Sequence, residues 1–258
     1  APSGGQAFND ATFVGRMRGG GNVTLKTVER VRRYMLANPV ESASEPTPEK
    51  ASDANRGAAF RFYDNRQKYL LFVNTCSEKW NIADRVGMEL GRITPTPPGL
   101  KVFDAGMGDG TVLTRVMRQT HRRFPTTPFL MVGKEISLED VRLSLEKMSD
   151  RFFEHPAMVL VVTNLYYTEA PDLTPGSMAA AASLNWQEVP LSGSTTHEFD
   201  EQITNLQQTL DYGWQVKSSE KTGNPLYVRP SVLVVYREDH KLLLNSLIPR
   251  PGGGIGGY

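Results

Sequence analysis

Apolar residues recur along this chain with two periods, and the change from one to the other marks its elements. From Thr24, which can cap a helix, Leu25, Val28, Val31 and Met35 fall at helical spacing. A longer amphipathic run opens at Asp64, three residues before Gln67 in a near relative of the capping box. It carries Tyr69, Phe72, Val73, Cys76, Trp80, Ala83 and Leu90. The prolines and glycine of "TPTPPG" end that helix and turn the chain into an apolar strand, "LKVFDAG". A regular alternation follows: a helix from about Thr111 to Phe124, a strand "PFLMVGKE", a helix capped by Ser137 and running to about Phe153, and a strand "AMVLVVTNLYY". These strands are continuous apolar runs, as a sheet covered on both faces requires. Their order predicts a parallel α/β unit whose right-handed crossovers lay helices on the sheet.

After Thr168 the pattern loosens, and residues 168–200 are rich in proline, alanine, serine and threonine. "HEFDEQITNLQQTLDYGW" returns to helical spacing, and "LYVRPSVLVVYREDHKLLLNSLI" predicts two strands around an "EDH" turn. The polar, proline-bearing "ESASEPTPEKASDANRG" predicts a linker. It separates a basic helical extension at 1–58 from an α/β domain at 59–258, with an inserted or divergent segment at about 168–225.

Composition narrows the function classes. A chain of 258 residues with 39% apolar residues can build a large core, and its formal net charge of +1 gives no long-range field for polyanions. Residues 1–39 are locally basic, with Arg16, Arg18, Lys26, Arg30, Arg32 and Arg33 against Asp10 and Glu29. A solvated helix face is the simplest role for that run, and the absence of interleaved aromatics disfavours nucleic acid as partner. No apolar stretch approaches the ~20 residues a membrane helix needs. Cys76 is the sole cysteine, which excludes an internal disulfide and a cysteine-built metal cluster and makes cytoplasm the default location. Ala1 at the start predicts that something upstream was removed, and the closing "RPGGGIGGY" reads as a lead-in to further chain.

The chemistry concentrates in "KVFDAGMGDGTVL". A strand that ends in glycines and passes into a helix bares backbone N–H groups at the helix's positive end. Gly106, Gly108 and Gly110 supply that turn, with Ala105 and Met107 between them. Asp104 precedes it, Asp109 lies within it, and Glu135 closes the next strand, where an acid can accept both hydroxyls of an adenosine ribose. The spacing G-x-G-x-G puts Thr111 where dinucleotide enzymes want their third glycine, and the Gly-Lys-Ser/Thr of ATPases does not occur. Acids at 104 and 109 repel a pyrophosphate but suit a ligand with an amino group and a sulfonium. S-adenosylmethionine has both.

Here the sequence resembles a known family. "VFDAGMGDG" is similar to the first motif of class I S-adenosylmethionine-dependent methyltransferases, and "FLMVGKEIS" to their second; the resemblance covers about residues 100–167. It implies a Rossmann-like, mostly parallel sheet with flanking helices, and S-adenosylmethionine as cofactor. It also implies that Asp104 orients the methionine amino group, that Gly106, Gly108 and Gly110 pass beneath the cofactor, that Glu135 holds the ribose and Ile136 packs on adenine. Asn164 in "VVTNLYY" matches a polar position near the adenine amine, with a local turn role as the competing assignment. A helix before the motif commonly covers the cofactor, which brings Tyr63 and Lys68 into consideration. The family's sheet usually has seven strands. Here the core is incomplete, or residues 226–248 form the terminal antiparallel pair and the middle strands are divergent.

Methyl transfer needs alignment and a dry pocket more than a universal catalytic group. Tyr166, Tyr167, His155 and His197 are candidate bases, and spacing selects none, so the catalytic residue is unassigned. His155 suggests a cap at its helix end and His197 a local structural role. No metal is expected. The acceptor is a small molecule or a protein side chain, and the oligomeric state is open. Two other functions remain: aminopropyl transfer, because "GDGTVL" followed by Arg115 also resembles the polyamine synthases, and a non-catalytic subunit that binds the cofactor.

Overall fold

The structure is a computed structural model that describes residues 78–220 and 223–252. The basic extension and linker at 1–58, together with Tyr63, Lys68, Tyr69, Phe72, Val73 and Cys76 of the long amphipathic run, lie outside the described residues. The end of that run is the helix α1 (Glu78–Leu90).

Five strands make one mixed sheet. Three form the predicted parallel unit: β1 (Leu100–Asp104), β2 (Phe129–Lys134) and β3 (Met158–Thr163). Between them run α2 (Thr111–Arg123), then α3 (Leu138–Leu145) and α4 (Ser149–Glu154). Ser137 caps α3 by accepting the Asp140 N–H at 3.3 Å, as its position predicts. The helix expected to run on to Phe153 breaks at 146–148, where the N–H groups of Lys147 and Met148 reach back three residues rather than four. The break puts Met148 in the core and turns Lys147 toward the glycine turn.

Beyond β3 lie α5 (Met178–Ala182), β4 (Asn185–Leu191), α6 (Thr196–Thr204), α7 (Gln207–Gly213) and a short hairpin, β5 (Val216–Ser218) with β6 (Pro225–Tyr227). β7 (Ser231–Arg237) then enters the sheet, giving the order β1-β2-β3-β7-β4. β7 runs antiparallel to β3 and parallel to β4, so three of the four pairings are parallel.

The segment 168–225 supplies a strand of the main sheet. β4 escapes a periodicity reading because it is an edge strand: only Leu191 is buried, and Pro190 is tolerated because an edge needs no outward N–H. Residues 226–248 do not form an antiparallel pair, because after Glu238–His240 the chain coils into α8 (Lys241–Leu244). Leu244 and Leu247 are buried three residues apart while Leu242 is exposed, which is a helical pattern and not a strand's alternation.

The sheet separates two apolar layers. Met131, Leu160 and Leu233 face α2, α3, α4, α6 and α7 through Leu113, Leu145, Phe152, Phe199 and Trp214. On the other face Leu130, Val159 and Val234 meet Leu165, Leu173 and Leu244. β2, β3 and β7 are buried along their whole length, which explains their unbroken apolar runs. Among the described residues no helix is long and apolar enough to cross a membrane.

Candidate functional site

The carboxyl ends of β1, β2 and β3 lie side by side, with Asp104 paired to Gly133 and Lys134 to Thr163. The glycine turn leaves β1 here and enters α2. Its three glycines answer to different demands. Gly110 caps α2 at φ 74°, and a side chain there would collide with the Ser144 hydroxyl of α3. Gly108 also has a positive φ, 52°, but a Cβ on it meets nothing within 4 Å. Gly106 has neither a positive φ nor a neighbour within 4 Å of a Cβ. Neither packing nor backbone conformation calls for a glycine at 106.

Met107 pegs this turn to the core. Its side chain is 3% exposed, its N–H donates to the Lys134 carbonyl at 3.1 Å, and its sulfur fills the space that Gly133 leaves on β2. It is a packing residue inside the motif. Ala105 is exposed at the crest of the turn.

The three acids have different partners. Asp104 makes no ion pair among the described residues; its Oδ1 accepts the Gly106 N–H at 3.2 Å, and burial pushes its pKa upward against that bond. Asp109 is neutralised. Its Oδ1 lies 2.5 Å from Lys79 Nζ on α1 and its Oδ2 3.4 Å from Lys147 Nζ, while Thr111 donates both N–H and O–H to it. Burial opposes ionisation, but Lys79, Thr111 and Lys147 outweigh it and hold this carboxyl at about 2. The sequence argument that Asp109 repels a pyrophosphate is therefore corrected, because its charge is balanced within the protein.

Glu135 braces the turn. Its Oε2 accepts the Gly108 N–H at 3.0 Å, and its Oε1 accepts from Ile136 at 2.8 Å and Ser137 at 2.9 Å. Trp214, at the end of α7, donates its indole N–H to the Glu135 carbonyl at 2.8 Å. A carboxylate has about four acceptor positions, so one remains on Oε2. That suffices for one ribose hydroxyl and not for the two expected from sequence. Ile136 is half-buried beside it.

Asn164, which follows the residue that accepts the Glu135 N–H, forms a structural latch. It is fully buried; its Nδ2 donates to the carbonyls of Gly213 and Arg229 at 3.0 and 2.9 Å, and its Oδ1 accepts the Ser231 N–H at 2.8 Å. Its amide joins the end of β3 to α7 and the start of β7, which stops the strand before Tyr166 and Tyr167. The competing turn role, widened to a tertiary one, is what the geometry gives it.

The histidines lie away from the turn. His155 is 2% exposed at the amino-terminal side of the sheet, its Nε2 3.0 Å from the Thr127 carbonyl and its Nδ1 2.7 Å from Nδ1 of His121. Burial lowers its pKa to about 4. It is the C-cap of α4, its backbone N–H donating to the Arg151 carbonyl at 2.9 Å, and its ring braces a loop from another element. His197 is exposed and lies 3.5 Å from Glu201 one helical turn on.

Three residues that motif reasoning overlooked stand at the site. Lys79 and Lys147 are silent in sequence, because nothing local marks them as partners of an acid 30 and 38 residues away. Lys134 carries a signal, as the one charge inside the apolar run "FLMVGK". No family model, curated protein or solved structure matches this chain.

Proposed function

We propose that the chain is an S-adenosylmethionine-dependent methyltransferase with a Rossmann-like core, in which the turn 105–110 receives the cofactor. One observation carries this: Gly106 and Gly108 leave open space where a Cβ would stand, at the carboxyl ends of parallel strands where such sheets bind ligands. Asp104, with no cation of its own among the described residues, suits the amino group of the methionine moiety. Glu135 offers its remaining Oε2 position to one ribose hydroxyl, and Ile136 an apolar edge to the adenine. Asn164 is left out of this set.

The cofactor supplies an activated methyl group: the acceptor's lone pair forms the new bond to carbon as the carbon–sulfur bond breaks, its electrons staying on sulfur. The chain's residues orient and exclude water. The turn is held for this by Met107 packed into the core, by Glu135 and, through Asp109, by Lys79 of α1.

Calorimetry of S-adenosylmethionine and S-adenosylhomocysteine against wild type and Gly106→Leu tests the proposal. Gly106→Leu is cleaner than Glu135→Ala, which also removes a brace of the turn. We expect micromolar-range binding by wild type and at least tenfold weaker binding by the variant at unchanged melting temperature. Equal affinities would remove the turn from the site. Labelled cofactor then separates the chemistries: methyl incorporation supports this assignment, aminopropyl products the polyamine-synthase alternative, and binding without turnover a non-catalytic subunit.

A further inference from the structure

Lys134 is a largely buried charge with no carboxylate partner among the described residues. It ends β2, is 8% exposed, and among the described residues has neither a hydrogen-bond acceptor nor a carboxylate within ion-pairing distance. An ammonium carries three donors, and with the stem buried and its Nζ not among the buried atoms, those donors are open to water or to a ligand. The nearest acid in sequence, Glu135, turns its carboxylate onto backbone N–H groups instead. What Lys134 does touch is an aromatic ring: its Nζ lies 4.4 Å from the centre of Tyr167. Burial lowers the pKa of this amine, while the charge of Glu135 pulls the other way.

Tyr167 is 63% exposed, yet the loop that carries it is pinned. Asn164 latches the loop's start. Glu169 closes it, accepting the Tyr166 N–H at 3.0 Å, the Gly176 N–H at 2.6 Å and the Tyr227 hydroxyl at 3.2 Å. Tyr166 stacks on Tyr227 with ring centres 4.5 Å apart. An exposed aromatic on a preorganised loop is a binding feature in wait of a partner, because little entropy is lost when something lies on it. This ring stands at the same end of the sheet as the glycine turn, since the Lys134 carbonyl holds Met107.

We propose that Lys134 and Tyr167 form the acceptor subsite, and that they select a small planar molecule carrying a carboxylate. The ammonium pairs with the carboxylate, and the free part of the Tyr167 ring takes the planar body. A single ammonium matches a monoanion; a phosphate dianion needs more donors and is opposed by Asp104 and Glu135 nearby. That this molecule is the methyl acceptor rests on the transferase proposal. The anion subsite itself does not.

The test is an NMR titration of the full chain with benzoate and with its neutral isostere, benzamide. We expect saturable binding of benzoate, at least tenfold weaker binding of benzamide, and movement of the Lys134 side-chain resonance with benzoate alone. Lys134→Met should weaken benzoate at least tenfold, and Tyr167→Ala at least threefold, both with unchanged affinity for S-adenosylhomocysteine. The Tyr167 variant is at an exposed position, and the wild-type resonance needs no variant, so a misfolded Lys134→Met does not blunt the test. Equal binding of the two probes, or a still Lys134 resonance, overturns the proposal. So does a tenfold loss of S-adenosylhomocysteine affinity in Lys134→Met, which would assign the anion to the cofactor's own carboxylate. Benzoate binding by a chain that ignores S-adenosylhomocysteine would sink the transferase proposal and leave the subsite standing.

Discussion

The Gly108 N–H donates to Glu135 Oε2 at 3.0 Å, so the acid that closes β2 is tied to a turn 27 residues earlier in the chain. The bond makes Glu135 a structural brace as well as a candidate ligand-binding group. Three backbone N–H groups depend on its carboxylate. Glu135→Ala should therefore cost about 2 kcal/mol of stability, the order expected when partly buried donors lose a charged acceptor. Chemical denaturation of the unliganded chain measures this, and a variant as stable as wild type would refute the brace.

Gly106 and Gly110 should respond oppositely to the same substitution. Gly110→Ala places a Cβ at φ 74° against Ser144 and is expected to cost roughly 2 kcal/mol, whereas Gly106→Ala enters open space and should leave the melting temperature unchanged. Thermal unfolding of the two variants side by side decides it.

The Asp109 cluster predicts an acid-sensitive fold. Its folded pKa of about 2 lies below the ordinary 3.8, so its ionisation stabilises the folded chain above pH 4. That contribution is lost as pH falls from about 4 to about 2, and amounts to about 2 kcal/mol. Asp109→Asn should flatten the stability profile in that window, and Lys79→Met should move the loss to higher pH. An unchanged profile in Asp109→Asn would show the lysines to be idle.

Asn164→Asp keeps size and removes the donor. Two carbonyls, of Gly213 and Arg229, would then face a buried carboxylate, and a loss of about 3 kcal/mol is expected. The folded fraction should bind S-adenosylhomocysteine as wild type does. A selective loss of binding at full stability would instead put Asn164 at the adenine.

His155 gives a second pH window. Burial keeps its folded pKa near 4, below the ordinary 6.5, so the unfolded chain binds the extra proton between these values and stability falls as pH drops from 6.5 to 4. The loss is on the order of 3 kcal/mol. His155→Gln should remove it; a wild-type slope in that variant would assign the effect to another group.

Strands β2, β3 and β7, the helices between the first three strands and the Ser137 cap follow from local sequence, because a buried strand must be apolar throughout and a helix end needs its acceptor. The glycine turn is equally legible. β4 and α8 are not: an edge strand need not alternate cleanly, and a leucine run fits either period until its burial is known. The same divide runs through the site. That acids stand at 104, 109 and 135 is local information; which of them is available to a ligand is not. Of the three, Asp109 is neutralised from α1 and from the break after α3, Glu135 is taken up by three backbone N–H groups, and Asp104 accepts a single one.

By itself the sequence determined where the chain could be strand, helix or bare turn, because those states depend on side chains two to four positions apart. Tertiary structure decided how far the acids are taken up by the protein itself, because the Gly108 N–H on Glu135 and the lysines on Asp109 arrive from 27 to 38 residues away. Asn164 became a latch, and Lys134 an unanswered charge, only when distant strands and loops closed around them.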